Sequence, residues 1–410
     1  MTSPAPSSPP VPLRRNRDFR RLWCGQVASE LGANNLQLAV PLLVLSITGS
    51  ASWAGAITTI GAGVAALSRL PGGALADRWN RRRLMLASDA GRLVACLILG
   101  ICVLLSHVPV LLVTVVVCST AILDVLFAPA ETAAVSRLVP PGQLAEAFAG
   151  NQARTFAASL GGRPLGGVLY GLGRAVPFLA AAAGYLVSLT LIAAIREPLQ
   201  DERPRSGGQS LAADIRDGVR HVFTSPFLRA VVLIAAPLNF ALSGAIFITT
   251  IALRQSGNSP AVIGLALSAF GGAGLLGAGA AAWLNHRLPL RHLIAGICAG
   301  QSVAAVAAAA LSGRPTMVLP LAAGLFLGPA VNTALYARLG ATVPDHAQAR
   351  VISVVMLAAT GAAALSPLVG GLLITAGSAA IALLGCAAML GVALVIAVRA
   401  TGAQDPQYRS

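Results

Sequence analysis

The chain has 410 residues, 56% of them hydrophobic and only 10% charged, with a mean hydropathy of +0.77. Soluble domains carry about 25% charged residues, so the composition excludes one and indicates an integral membrane protein. The formal net charge of +15 sits between apolar runs and not in one basic patch, which argues against nucleic acid as a partner and reports orientation in a bilayer.

A membrane-spanning helix needs about 20 mostly apolar residues, and twelve such segments are predicted, near 22–46, 52–74, 84–105, 109–134, 146–171, 176–195, 228–252, 261–284, 293–311, 316–336, 351–375 and 378–398. They divide the chain into an N-terminal tail (1–21), a six-helix bundle (22–195), a linker (196–227), a second six-helix bundle (228–398) and a short tail (399–410). The first apolar run is a full span and lacks a convincing small-residue cleavage site, so it is expected to be retained as the first helix. Loops on alternate sides of the spans carry 22 Arg against three, the poor side holding only Arg174, Arg254 and Arg314. Positive charge favours the cytoplasmic side, so both termini are expected in the cytoplasm of a cell whose inner membrane the chain crosses repeatedly. All six cysteines fall within apolar spans without paired or metal-type spacing and are expected to be buried free thiols. In the linker, Ser210 to Arg220 has apolar residues at helical spacing, which predicts a short amphipathic helix.

The two halves repeat. Pro129 to Leu138 matches Pro329 to Leu339 with one inserted residue, Gly166-Gly167 corresponds to Gly370-Gly371, and Leu75 to Arg78 aligns with Leu284 to Arg287. Between the second and third spans lies Gly73-Ala-Leu-Ala-Asp77-Arg78-Trp-Asn80-Arg81-Arg82-Arg83. This stretch resembles the G-x-L-A-D-R-x-G-R-R/K signature of the major facilitator superfamily, departing from it at Asn80, where that family usually has Gly. The resemblance implies an all-α membrane fold of twelve helices in two six-helix pseudo-repeats, with a substrate site between the halves. Further stretches, Arg15 to Trp23 with Gly25, Gln26 and Ser29, and Thr48-Gly49-Ser50, resemble the branch of bacterial siderophore and drug exporters. That branch implies efflux of a small, usually amphipathic molecule by proton antiport, with multidrug resistance as a typical outcome. Protons, a small-molecule substrate and the lipid bilayer are then the partners, a monomer is the family expectation, and no cofactor is expected beyond a proton gradient as energy source. Against antiport, the fifth span reads Gly162-Arg163-Pro164-Leu165-Gly166-Gly167, where exporters have G-P-x-x-G-G.

Ionisable groups in a bilayer are costly and mark function by default. In the first span Gln26, Glu30, Asn34 and Gln37 form a polar stripe on one helix face, and Gln26, Asn34 and Gln37 are expected to line the substrate cavity. Glu30 is the first candidate for the proton-carrying group, with a fixed ion pair to Arg154 or Arg163 as the competing reading. Asp124 is a second proton-coupling candidate, and Phe127, on the helix between Asp124 and Glu131, is expected to line the substrate cavity. Glu131 is expected to pair with Arg137, and Arg154 to reach the cytoplasmic surface. Arg163 is placed in the substrate cavity, where it suits an anionic group, as are Asn239 and Asn332, each near a helix-breaking Pro. Gly73, Asp77, Arg78, Arg81 and Arg82 are expected to form a conformational gate joining the halves, as the resemblance implies, with Asp89 and Arg92 (i, i+3) pairing with each other or with that cluster. The five histidines lie in loops or at span ends without metal or nucleophile spacing, so no enzyme chemistry and no metal site is expected. Uptake of a small anionic solute on the same fold is the alternative to export.

Overall fold

In the computed structural model the described residues are 13–197, 199, 220, 223–342 and 345–402. The chain is all α-helical there, with twelve long elements alternating in direction: α1 (Arg17–Thr48), α2 (Ala51–Arg78), α3 (Arg81–Leu104), α4 (Val110–Leu138), α5 (Leu144–Leu172), α6 (Val176–Ala193), α7 (Pro226–Gln255), α8 (Pro260–Arg287), α9 (Leu290–Ala310), a two-piece α10 (Val318–Gly324 and Gly328–Thr342), α11 (Asp345–Ala376) and α12 (Ala379–Gly402). Eleven are long and apolar enough to cross a membrane. The remaining one, α5, carries Glu146, Arg154 and Arg163 along its 29 residues. The linker helix expected from Ser210 to Arg220 falls almost wholly outside the described residues.

Local chemistry fixes the ends. Asn16 caps α1 by accepting from the Phe19 amide (3.0 Å), Ser225 and Ser259 cap α7 and α8 with Pro in their first turns, and Gly49 ends α1 in the left-handed conformation (φ 67°). Asn80 explains its own departure from the family pattern. Its backbone is extended (φ −65°, ψ 116°), so the position needs no glycine, and its side chain accepts from the Arg83 amide to cap α3. The tenth span is not the single helix expected: it breaks at 325–327, because Pro329 cannot supply an amide and disfavours helical geometry in the residue before it.

Glycines set the packing. In the first bundle α1 lies between α5 and α6. A Cβ built at Gly25 would stand 3.2 Å from the Ser188 backbone, one at Gly32 3.1 Å from Ala181, and one at Gly184 2.5 Å from the Ala28 carbonyl oxygen. Such close approach is available only to residues without side chains. Trp53, Trp79 and Trp283 are exposed, as interfacial anchors are, and the Arg287 guanidinium lies over the Trp283 ring at 5.2 Å. Cys96, Cys298 and Cys386 are buried free thiols, whereas Cys24 is exposed.

The halves meet along two seams, α2 with α11 and α5 with α8, and the contacts repeat by pseudo-symmetry. A Cβ at Gly371 would stand 2.4 Å from the carbonyl oxygen of Ala51, the first residue of α2. One at Gly167 would stand 2.3 Å from that of Pro260, the first residue of α8. One turn on, a Cβ at Gly55 would stand 2.1 Å from the Pro367 carbonyl oxygen and one at Gly264 2.6 Å from that of Arg163. Ser52 adds a hydrogen bond to Thr375 (2.8 Å), and the Leu368 amide donates to Thr59 (3.0 Å). Because α2 and α8 begin here and α5 and α11 end here, the seal lies at the end opposite the chain termini.

Candidate functional site: a cavity between the halves

Below the seal a cavity of about 980 Å³ separates the bundles. Arg69 lines it 18 residues from the start of α2, about 27 Å along the helix axis, so the cavity runs from the seal toward the terminal end. Its walls are mainly apolar, with Leu36, Val40, Phe178, Ile246 and Phe247 among them, and among the described residues three charged side chains reach it: Arg69, Asp124 and Arg163. Gln37, Asn239 and Ser243 supply neutral polar groups.

Two buried charge clusters lie in the first half. In one, Arg92 on α3 pairs with Asp89 on its own helix and with Asp124 on α4, both at 2.5 Å. The Ser188 hydroxyl of α6 donates to Asp89 (2.7 Å) and accepts from Gln26 of α1 (3.1 Å). The guanidinium is also stacked near Phe127 and Tyr185, at 4.6 and 4.9 Å from the ring centroids. The Asp89 side chain is fully enclosed while that of Asp124 is 45% exposed, so Asp124 is the carboxylate this cluster presents to the cavity.

The second cluster holds Glu30. Arg154 of α5 donates to both Glu30 oxygens (2.9 and 3.2 Å) and to Glu131 of α4 (2.8 Å), and Thr155 donates to Glu30 (3.0 Å). Two carboxylates thus share one guanidinium in each cluster. If all are ionised, each carries one negative charge in excess, which one proton would neutralise.

The polar stripe of α1 divides among three surroundings, because the helix is wedged between two others and opens to the cavity only at its middle. Gln26 turns to Ser188 instead of the cavity, Glu30 meets α5, and Asn34 donates to its own helix at the Glu30 carbonyl (2.9 Å) beside Gly162. Gln37 alone of the four lines the cavity, accepting from Arg163 (3.2 Å). Phe127 is buried against Arg92 and is not among the residues lining the cavity; Asn239 lines it, whereas Asn332 is exposed on the second piece of α10, below the break, and does not. Glu131 pairs with Arg154, not Arg137, and Arg154 is buried and not surface-seeking.

Of the expected gate, the side chains of Gly73, Asp77 and Arg78 lie outside the described residues. Arg82 donates to the Ala193 carbonyl (2.6 Å) and Arg81 to that of Leu199 (3.2 Å), so they reach the end of α6 and the start of the linker. Arg21 does the same at Ala194 (2.8 Å). Cations at a helix C-terminus satisfy its free carbonyls and oppose its dipole. Asp89 and Arg92 belong to the Asp124 cluster within the bundle. Sequence reasoning missed Ser188 and Tyr185, whose signal was a polar group in the otherwise apolar α6, and Asn35, which is buried and donates to the Pro177 carbonyl (2.8 Å).

Two pseudo-symmetric six-helix bundles, sealed at one end around a central cavity with buried charge clusters, have the architecture of a membrane transporter. The family model of the Major Facilitator Superfamily matches residues 22–328, and the chain belongs to that superfamily. Among solved structures, it is similar to a bacterial homolog of the human lysosomal transporter Spinster in an inward-facing and occupied conformation (TM-score 0.76, 16% identity, covering 96% of this chain and 98% of that one). A bacterial homologue of the iron transporter ferroportin in an inward-facing state is also similar (TM-score 0.72, 15% identity, 94% and 98% covered), as is the nucleoside transporter NupG (TM-score 0.71, 10% identity, 94% and 99% covered). At these identities the likeness is one of fold. No curated protein matches the chain.

Proposed function

We propose that the chain is a secondary active transporter that exports a small amphipathic compound across the cytoplasmic membrane by alternating access, in exchange for protons. The observation that carries this reading is the pairing of a large, mostly apolar cavity with carboxylate clusters that each hold one acid in excess of their arginine. The arginine-rich loops support cytoplasmic termini, and in that orientation the sealed end faces out and the cavity faces in. A compound entering from the cytoplasm or the inner leaflet meets apolar walls and a few polar contacts. Opening of the seal and closure of the terminal end then expose it outside.

Glu30 is the proposed proton carrier. Protonation removes one of the two charges competing for Arg154, leaving Arg154 to Glu131 and turning the cluster neutral, so that its energy in a low-dielectric setting changes with the state of the carrier. The test is accumulation of amphipathic antibiotics and siderophores in an efflux-deficient host, comparing wild type with Glu30→Gln at equal expression, with and without a protonophore. Protonophore-sensitive extrusion that Glu30→Gln abolishes is the expected result. Extrusion surviving the substitution removes Glu30 from the mechanism, and net accumulation of a compound selects uptake over export.

A further inference from the structure

Arg163 takes part in the seal and in the cavity at once. Its carbonyl is the surface on which Gly264 of α8 packs, while its guanidinium reaches down into the cavity and donates to Gln37 (3.2 Å). In the second half the same place in the seal is filled by Pro367, on whose carbonyl Gly55 packs in the same way. The seal is therefore symmetric in its backbone and asymmetric in charge, with one cation hung from the α5–α8 seam.

That cation lacks a counter-charge. Among the described residues no carboxylate lies within ion-pair distance of Arg163, whose hydrogen-bond partner is a neutral amide. The one carboxylate among the described residues that lines the same cavity, Asp124, is held by Arg92. A cationic compound would have to share Asp124 with Arg92, whereas an anionic one finds on Arg163 a planar guanidinium with no competing carboxylate and donors to spare, the geometry that binds carboxylates two bonds at a time.

On the transport reading above, we infer that the cavity takes amphipathic compounds bearing a carboxylate or similar oxyanion, seated on the Arg163 guanidinium, and that this contact loosens the seal through the residue's own backbone. The substrate group and the seam share one residue, so drawing the side chain toward an anion pulls on the turn of α5 that closes the outer end.

The test uses three probes with one ring system and different charge, naphthaleneacetate, naphthylethylamine and naphthaleneethanol, binding to the full chain in lipid nanodiscs at neutral pH. Seal closure is read as the rate of disulfide formation in Ser52→Cys/Thr375→Cys, whose parent hydroxyls are 2.8 Å apart. Naphthaleneacetate is expected to bind best and to slow cross-linking, and Arg163→Gln to weaken its binding by about tenfold, the scale of a lost charge-assisted hydrogen bond, and to abolish the effect on cross-linking. Gln37→Leu leaves the guanidinium in place and is expected to keep the preference for the anion, which covers the case of an Arg163→Gln chain that does not fold. The inference is overturned if the amine binds better than the acid, if Arg163→Gln binds the acid as wild type does, if Gln37→Leu loses the anion preference, or if bound acid leaves cross-linking unchanged. Neither readout needs a gradient. Lost anion preference alongside intact protonophore-sensitive extrusion sinks this inference alone, and intact anion binding without such extrusion sinks the proton-driven mechanism alone.

Discussion

Replacing Gly167 by Ala should shift the transporter away from the closed-seal state, while the same change four residues on, at Gly171, should do nothing. A Cβ at Gly167 would stand 2.3 Å from the Pro260 carbonyl oxygen and 3.1 Å from the Gly264 Cα, whereas at Gly171 nothing lies within 4 Å. Ordinary C···O contacts begin at about 3.3 Å, so α5 and α8 must separate by about 1 Å. The nearest atoms are backbone and cannot rotate away. Overpacking of this kind costs about 1–3 kcal/mol, and because only the sealed state bears it, the equilibrium between states should move about 5- to 150-fold. The assay is cross-linking of Ser52→Cys/Thr375→Cys in the companion seam, which responds only if the halves move as bodies. Gly167→Ala should cross-link markedly more slowly than wild type, and Gly171→Ala at the wild-type rate. Equal rates for the two alanine variants would refute the seal as described.

Other consequences follow from single contacts. Arg154→Leu leaves Glu30 and Glu131 facing each other without their shared cation, and breaking a buried pair in this way costs about 3–5 kcal/mol; thermal unfolding in detergent should show a clear fall in Tm, partly restored when Glu131→Gln is added. Asn80→Ala should lower stability by about 1 kcal/mol through loss of the α3 cap, and Asn80→Gly, the residue usual in the family, by only a few tenths, read from the same unfolding curves. Asp124→Asn removes one of the two acids on Arg92 and leaves Asp89 paired with it; the chain should fold, and proton-driven extrusion should persist if Glu30 is the carrier.

The span pattern was legible because hydropathy alone marks a lipid-buried helix, and the internal repeat of Gly166-Gly167 at Gly370-Gly371 foreshadowed the matching seams. What the seams do was not legible. Gly167 and Gly171 read alike as small residues at helical spacing, and only the neighbouring helix shows that one touches a carbonyl and the other open space. The charge clusters were legible only in part: the Asp89–Arg92 pair and a Glu30–Arg154 pair were among the expectations and are present, while the second acid of each, Asp124 and Glu131, was not foreseen there. Glu30, Glu131 and Arg154 come from α1, α4 and α5, and which guanidinium meets which acid depends on the placing of three helices that no local spacing encodes. Helical periodicity put Gln26, Glu30, Asn34 and Gln37 on one face, but a face shared among α6, α5 and the cavity is not one environment. The broken α10 also escaped hydropathy, which does not register that Pro329 lacks an amide.

The central claim, proton-driven export through this cavity, is tested most directly by proton movement itself. In inverted membrane vesicles energised to an acidic interior, a compound that the chain extrudes from cells should, on addition, release protons from the vesicle interior with wild type and not with Glu30→Gln. Uptake of that compound into wild-type vesicles without proton release would contradict the account.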